Sequence, residues 1–136
     1  MNNISTVNPN IFISIDGICS PVINEYFTKL NQGNFTAVAD LFAEQAGLTP
    51  PFDKLVQGRQ AIAQYLEKEY IGIKSYPERA EILKTGLVSQ YQVTGSVDIK
   101  HIVFNLDWFF ELDNSQQIIN LEVKIAASLE DLLNFR

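Results

Sequence analysis

Cysteine and histidine are nearly missing from this chain of 136 residues: there is one of each, Cys19 and His101. A single cysteine forms no intramolecular disulfide, and CxxC redox motifs and thiolate metal clusters are excluded with it. A single histidine excludes a His-rich metal site. The one Cys–His pair available for nucleophilic catalysis, Cys19 with His101, sits in no local signature, and a lone cysteine is most often simply buried. Basic residues are also scarce. Ten Lys and Arg stand against sixteen Asp and Glu, giving a net charge of −6 and a pI near 4.6. That balance argues against nucleic acid as a partner and against a simple electrostatic anchor on anionic lipid. No apolar run approaches the length that spans a bilayer. No Lys or Arg precedes the short run Ile11-Phe12-Ile13, so no signal peptide is read there and a cytoplasmic protein is expected. Walker, GxGxxG and GxSxG motifs and internal repeats are absent.

Hydrophobic residues make up 46 % of the chain and charged residues 19 %, a composition that packs a core. The length fits one domain able to bury roughly two-thirds of its unfolded surface without a metal or disulfide. Residues 1–17 read as an N-terminal arm and residues 18–136 as the domain. Ser20-Pro21 reads as an N-cap with Pro at the first helical position. Val22, Tyr26 and Leu30, with Ile23 and Phe27, form one apolar face that ends at Gly33. Asn34 caps a second helix, with Phe35, Val38, Ala39 and Phe42 on one face. Leu48-Thr49-Pro50-Pro51-Phe52 reads as an extended turn. A third helix is expected from Arg59 to about Ile71, its apolar positions Ile62, Tyr65, Leu66 and Tyr70.

After Pro77 the apolar period drops from about 3.6 to 2. Short strands are expected over residues 82–87 and 91–97. The clearest runs from Ile102 to Leu112, where Phe104, Leu106, Trp108 and Phe110 alternate with Asn105, Asp107 and Glu111, a pattern broken by Val103 and Phe109. A turn at Asp113-Asn114-Ser115 leads to a strand with Ile119, Leu121, Val123 and Ile125 on one face. Ser128 to Phe135 reads as a short terminal helix. Helices followed by consecutive strands mean α+β, with helices on one face of an antiparallel sheet. A strongly bent sheet of this kind leaves a cone whose mouth can hold a small apolar ligand.

Several stretches, in this order and spacing, carry a resemblance. They are Tyr26-Phe27-Thr28-Lys29-Leu30-Asn31, Asp40-Leu41-Phe42-Ala43, Pro50-Pro51-Phe52 with Gly58, Glu67-Lys68-Glu69 and Pro77-Glu78-Arg79. Val93-Thr94-Gly95, Asn105-Leu106-Asp107-Trp108 and Ala126-Ala127-Ser128 with Leu132-Leu133 complete them. The layout is similar to the nuclear transport factor 2-like fold. More closely, the chain resembles the C-terminal carotenoid-binding domain of the orange carotenoid proteins and its stand-alone homologues in cyanobacteria, from about Ile15 to Arg136. The resemblance implies a cone, a bent antiparallel sheet with helices packed on its concave face. It also implies a ketocarotenoid as bound pigment: canthaxanthin, echinenone or 3'-hydroxyechinenone. In that family a Tyr on the first helix and a Trp on a central strand donate to the pigment's keto oxygen, and Tyr26 and Trp108 occupy the matching positions. The chemistry is sound: phenol O–H and indole N–H are donors on large apolar bodies and bring no permanent charge into an oily tunnel. Two features differ. Lys100 and His101 stand where the family has an aromatic tunnel wall. Glu69 matches a Glu whose partner, in that family, lies in a helical N-terminal domain, and the resemblance is to the stand-alone form, in which that partner is not expected.

Two functions from different classes fit these residues. One is a carotenoid carrier without enzymatic activity. A rod-like carotenoid is about as long as a domain with a radius of gyration near 14 Å is wide, so one domain covers part of the pigment and a twofold homodimer shares it. The resemblance extends this to delivery to helical carotenoid-binding partners, singlet-oxygen quenching, transient membrane contact for pigment uptake, and a place near thylakoid membranes. The other is a ketosteroid isomerase-like enzyme, in which Tyr26 and Trp108 polarise a ketone and a carboxylate moves a proton. Asp107, Asp53 and Asp40 are the candidate bases, but Asp107 comes directly before Trp108 and so faces the other side of the sheet. A protein-binding adaptor fits the acidity and leaves the Tyr–Trp pairing without a role.

Overall fold

The computed structural model describes residues 20–126, so the arm before residue 18, Cys19 and the expected terminal helix lie outside the described residues. Helix α1 spans Pro21–Asn31, and the Ser20 Oγ accepts from the Ile23 N–H at 3.4 Å, as an N-cap should. Gly33 follows with φ +76°, the left-handed conformation that ends a helix at low cost. Asn34 caps α2 (Phe35–Ala39) through the Ala37 N–H at 3.3 Å. Strand β1 (Phe42–Thr49) then pairs with the short β2 (Val56–Gln57), and Gly58 leads into α3 (Arg59–Glu69). Strands β3 (Lys74–Lys84), β4 (Ser89–Ile99), β5 (Ile102–Leu112) and β6 (Ile118–Ile125) complete the sheet.

The sheet has six strands in the order β2-β1-β6-β5-β4-β3. All neighbours are antiparallel except β1 and β6, which run parallel. The sequence pattern places Phe42 on a helix and gives no strand signal at residues 42–49; the structure corrects both. The segment Ala43-Glu44-Gln45-Ala46 is made of good helix formers, but the pairs on either side of it, Phe42 with Ile118 and Gly47 to Thr49 with Asn120 to Glu122, draw it into a strand whose register shifts across it. Phe42 keeps its buried place at the start of the strand, fully enclosed. On β6, Ile118 rather than Ile119 enters the core, because the register slips between Glu111 and Leu112 of the facing strand.

One face of the sheet is covered by helices. Ile23, Tyr26, Phe27 and Leu30 of α1 share a core with Val93, Leu106, Trp108 and Phe110 of β4 and β5. At its C-terminal end α1 is tied to the edge strand β3: the Asn31 side chain donates to the Ser75 carbonyl at 2.8 Å and accepts from its N–H at 2.7 Å. At the other end of the sheet, Arg59 on α3 donates from Nε and Nη2 to the Phe42 carbonyl, at 3.1 and 2.8 Å. The helices are thus fixed to the sheet on both flanks of the cone.

Pro77 lies inside β3 rather than before it. A proline lacks the N–H a central strand needs, but β3 is the edge strand and the register shifts between Pro77 and Arg79. Opposite it sits Gly95, where a Cβ would meet the Tyr76 carbonyl oxygen in a clash and Pro77 Cα at 2.8 Å. The absent side chain lets the bulged edge close on β4. Gly95→Ala is expected to destabilise by about 1–3 kcal/mol, the usual cost of overpacking, read as a lower urea midpoint at unchanged slope. An unchanged midpoint would show that the two backbones have room to separate.

Candidate functional site

Between α1, α3 and the inner face of the sheet lies a cavity of about 300 Å³, at the small end of ligand pockets. Tyr26 and Trp108 both line it, so the two expected site residues meet at one cavity. Leu106, Val97 and Val123 of the sheet, and Leu66 of α3, are among its apolar walls. Pro50-Pro51-Phe52, Ile99, Phe104 and Ile125 line it as well, and the exposed Phe52, Phe104 and Ile125 mark its mouth.

The local sequence explains how the two donors are held. Tyr26 and Phe27 are neighbours on α1 and make different contacts. Phe27 sets its ring edge to face on Trp108, centroids 4.9 Å apart and planes at 87°. Tyr26 does the same with Phe110, at 5.3 Å and 83°, and packs on Phe27 at 5.0 Å. Such pairs contribute about 0.5–1.5 kcal/mol each beyond the area they bury. Trp108 is flanked in the sheet by Val93 and Val123, and with Leu106 and Phe110 it follows the two-residue alternation of β5. Both side chains are almost wholly buried, Tyr26 at 3 % and Trp108 at 1 % exposed. Among the described residues, neither the Tyr26 hydroxyl nor the Trp108 N–H has a hydrogen-bond partner. Two donors at an apolar cavity fit a ligand that brings an acceptor there, such as a ketone oxygen.

Two further phenols belong to the lining of the cavity. Tyr65 and Tyr70, legible in the sequence only as part of the apolar face of α3, line it as well. The Tyr70 hydroxyl is 2.7 Å from Ser75 Oγ. Burial pushes the Tyr26 hydroxyl well above its ordinary pKa, with Tyr70 and then Tyr65 adding to the shift. Burial likewise pushes Tyr70 from 10.0 to about 12, partly offset by its bond to Ser75. The signal in the sequence is that this helix puts two tyrosines on the face where α1 puts mainly Ile, Phe and Leu.

The remaining candidates fall elsewhere. Asp107 is half-buried and pairs in register with Thr94 and Lys124, one residue from Trp108 and so on the opposite face. Asp40 and Asp53 are exposed, and neither lines this cavity. Glu69, exposed at the edge, is the carboxylate that does. Lys100 and His101 do not line this cavity. They form the two-residue turn between β4 and β5, with φ of +51° and +72°, the pattern of a tight hairpin. Ile99 and Phe104, on either side of that turn, supply the apolar surface.

A bent six-stranded sheet with helices over one face and an apolar cavity between them is the nuclear transport factor 2-like architecture. Solved structures agree: an NTF2-like protein of Cytophaga hutchinsonii superposes with a TM-score of 0.63 at 16 % identity, over 77 % of this chain and 87 % of that one. No protein-family model matches the chain. The chain is homologous to orange carotenoid-binding protein, aligning with its C-terminal domain. It is 29 % identical over 129 residues to that protein from Synechocystis sp., an alignment covering 90 % of this chain and 40 % of the relative. The chain therefore spans well under half the length of the curated relatives it matches. The orange carotenoid protein of Anabaena (Nostoc) sp. PCC 7120, solved with canthaxanthin, superposes with a TM-score of 0.82 at 28 % identity, over 98 % of this chain and 43 % of that one.

The phenol shifts give a pH dependence with a definite sign. Between pH 10.0 and about 12 the unfolded chain releases a Tyr70 proton that the folded chain keeps. Stability from this group is therefore full below pH 10.0 and is lost as pH rises through about 12, and Tyr26 acts in the same direction. Alkaline urea titrations are expected to show a falling midpoint across this window, with a shallower fall in Tyr70→Phe. An identical slope in wild type and variant would mean that Tyr70 is not held neutral by burial.

Proposed function

We propose that the protein is a non-enzymatic carotenoid carrier that holds one end of a ketocarotenoid in this cavity. The observation that carries the reading is the pairing of two neutral donors, Tyr26 and Trp108, at an apolar cavity where neither has a protein partner among the described residues. A ketone oxygen has two lone pairs and accepts from both. The donors cost little to bury because neither carries charge. Homology to orange carotenoid-binding protein, and the canthaxanthin bound by its Anabaena relative, support the same ligand class.

The cavity holds an end ring and the adjoining part of the polyene, and the rest of the pigment needs cover from elsewhere. A second copy of the chain supplies it in a twofold homodimer. The opening supports this: Phe52, 95 % exposed, lines the cavity together with the partly exposed Phe104 and Ile125, apolar side chains that a second copy can cover. Replacing one copy by a helical carotenoid-binding protein hands the pigment on, and the same apolar rim serves transient contact with a membrane during loading. Quenching of singlet oxygen belongs to the bound polyene. Among the described residues no helix is long and apolar enough to cross a membrane.

Catalysis is the weaker reading. The fold occurs in an epoxide hydrolase/cyclase-like enzyme, SalBIII, at 19 % identity and a TM-score of 0.64, a likeness of fold alone. A ketosteroid isomerase-like mechanism needs a carboxylate beside the donors; Asp40, Asp53 and Asp107 do not line the cavity, and Glu69, which does, is exposed to solvent.

Expression in a host that makes canthaxanthin or echinenone tests the carrier directly. The purified protein is expected to be coloured, red-shifted relative to the free pigment, and to elute at twice the 15.3 kDa chain mass. Tyr26→Phe and Trp108→Phe should each weaken pigment retention about three- to tenfold, as expected for one hydrogen bond, and reduce the red shift more than the thermal midpoint. A folded but colourless wild type would overturn the reading.

A further inference from the structure

The lining of the cavity holds more hydrogen-bonding capacity than a ketone can use. Tyr26 and Trp108 already match the two lone pairs of one carbonyl oxygen. Tyr70 lines the same cavity and is close enough to Tyr26 to raise its pKa. Backbone bonds fix its position. Tyr70 closes α3 through its N–H to the Leu66 carbonyl at 2.8 Å, and its carbonyl accepts from the Ile73 N–H at 3.2 Å. Ser75, the residue its hydroxyl touches, is 1 % exposed and clamped on both backbone atoms by the Asn31 side chain. The pair is therefore built into the junction of α1, α3 and β3.

A phenol hydroxyl donates once and accepts up to twice. Ser75 takes one of those roles. If Ser75 donates to Tyr70, the phenol proton is left for the cavity; if Tyr70 donates, its lone pairs are left. A ketone matches only the first case. A ligand hydroxyl matches both, because it donates and accepts. Filling the cavity with hydrocarbon instead leaves the remaining capacity of Tyr70 without a partner, which disfavours binding.

We propose that Tyr70, positioned by Ser75 and Asn31, forms a second polar subsite beside the Tyr26–Trp108 pair, and that it recognises a hydroxyl group next to the keto group on the terminal ring of the ligand. The inference rests on the carrier reading and adds a specificity to it: an α-hydroxyketone end ring is preferred over a plain ketone. Tyr65, which also lines the cavity but is half-exposed and near Asp53 and Glu69, stands toward solvent and is not part of this subsite.

The test is a competition. Purified protein is offered an equal mixture of canthaxanthin and its 3,3'-dihydroxy analogue, and the bound pigments are extracted and quantified. Wild type is expected to enrich the dihydroxy pigment about three- to tenfold, the discrimination one hydrogen bond gives. Tyr70→Phe should bring the ratio to about one, and Ser75→Ala, which frees the phenol to reorient, should lower it part of the way. The thermal midpoint of each unloaded variant checks that the fold is kept, and Ser75→Ala provides the second readout if Tyr70→Phe is unstable. Equal uptake of the two pigments by wild type, or an undiminished ratio in folded Tyr70→Phe, overturns the subsite while leaving the carrier intact. A folded wild type that takes up neither pigment overturns both.

Discussion

The edge-to-face contact of Phe27 on Trp108 is the interaction on which the rest of the cavity depends. It sets α1 at a fixed height over the sheet. Once Phe27 occupies that place, the neighbouring Tyr26 has its ring against Phe110 and also lines the open space. Both donors are therefore positioned by the same three aromatic contacts. A shift of α1 would move the Tyr26 hydroxyl relative to the indole N–H and spoil any acceptor geometry the two share. The Asn31–Ser75 clamp and the Ser20 cap hold the two ends of the helix, so the donors stand on a rigid element and not on a loop.

A second constraint is the edge of the sheet. β3 carries Pro77 and a bulge, and it closes on β4 because Gly95 has no side chain. The inward alternation Ser75, Pro77, Ala80 skips a residue at the bulge. Ser75 thereby stays on the helix side, where it reaches both Asn31 and Tyr70. An irregularity that looks like a defect in the strand pattern is what brings a polar residue of the edge strand to the junction.

Much of this is legible in the sequence, and the parts that are not share a physical cause. α1 announces itself through Ser20-Pro21 and an apolar face at helical spacing, and β5 through an alternation broken only at Val103 and Phe109. Tyr26 and Trp108 lie on those two elements, and each points inward for reasons of period alone. β1 is hidden because Ala, Glu and Gln favour helix locally, and its strand state comes from β2 and β6, the second of them remote in sequence. The β6 register is hidden because a one-residue bulge exchanges Ile119 for Ile118. Tyr70 is legible as a buried position but not as a polar one, since its role depends on Ser75, a contact that only the folded junction creates. Local patterns report which face is buried; they do not report which polar atoms meet there.

That distinction bears on how such a cavity selects a ligand. Apolar walls reward every hydrophobic molecule of suitable width by a similar amount per unit area, so Leu66, Val97, Leu106 and Val123 supply affinity with little discrimination. Discrimination has to come from groups whose burial is costly unless matched. Here those are the hydroxyls of Tyr26 and Tyr70 and the indole N–H of Trp108, all neutral at ordinary pH, with burial extending the neutrality of the phenols further into the alkaline range. Neutral donors can be left beside a polyene without the penalty an ion would bring, yet each one unmatched still counts against the wrong end group. The opposite arrangement, a carboxylate among the donors, would favour proton transfer over retention. The expected bases Asp40, Asp53 and Asp107 do not line this cavity, Asp107 lying on the far face of the sheet, and the carboxylate that does line it, Glu69, is exposed to solvent.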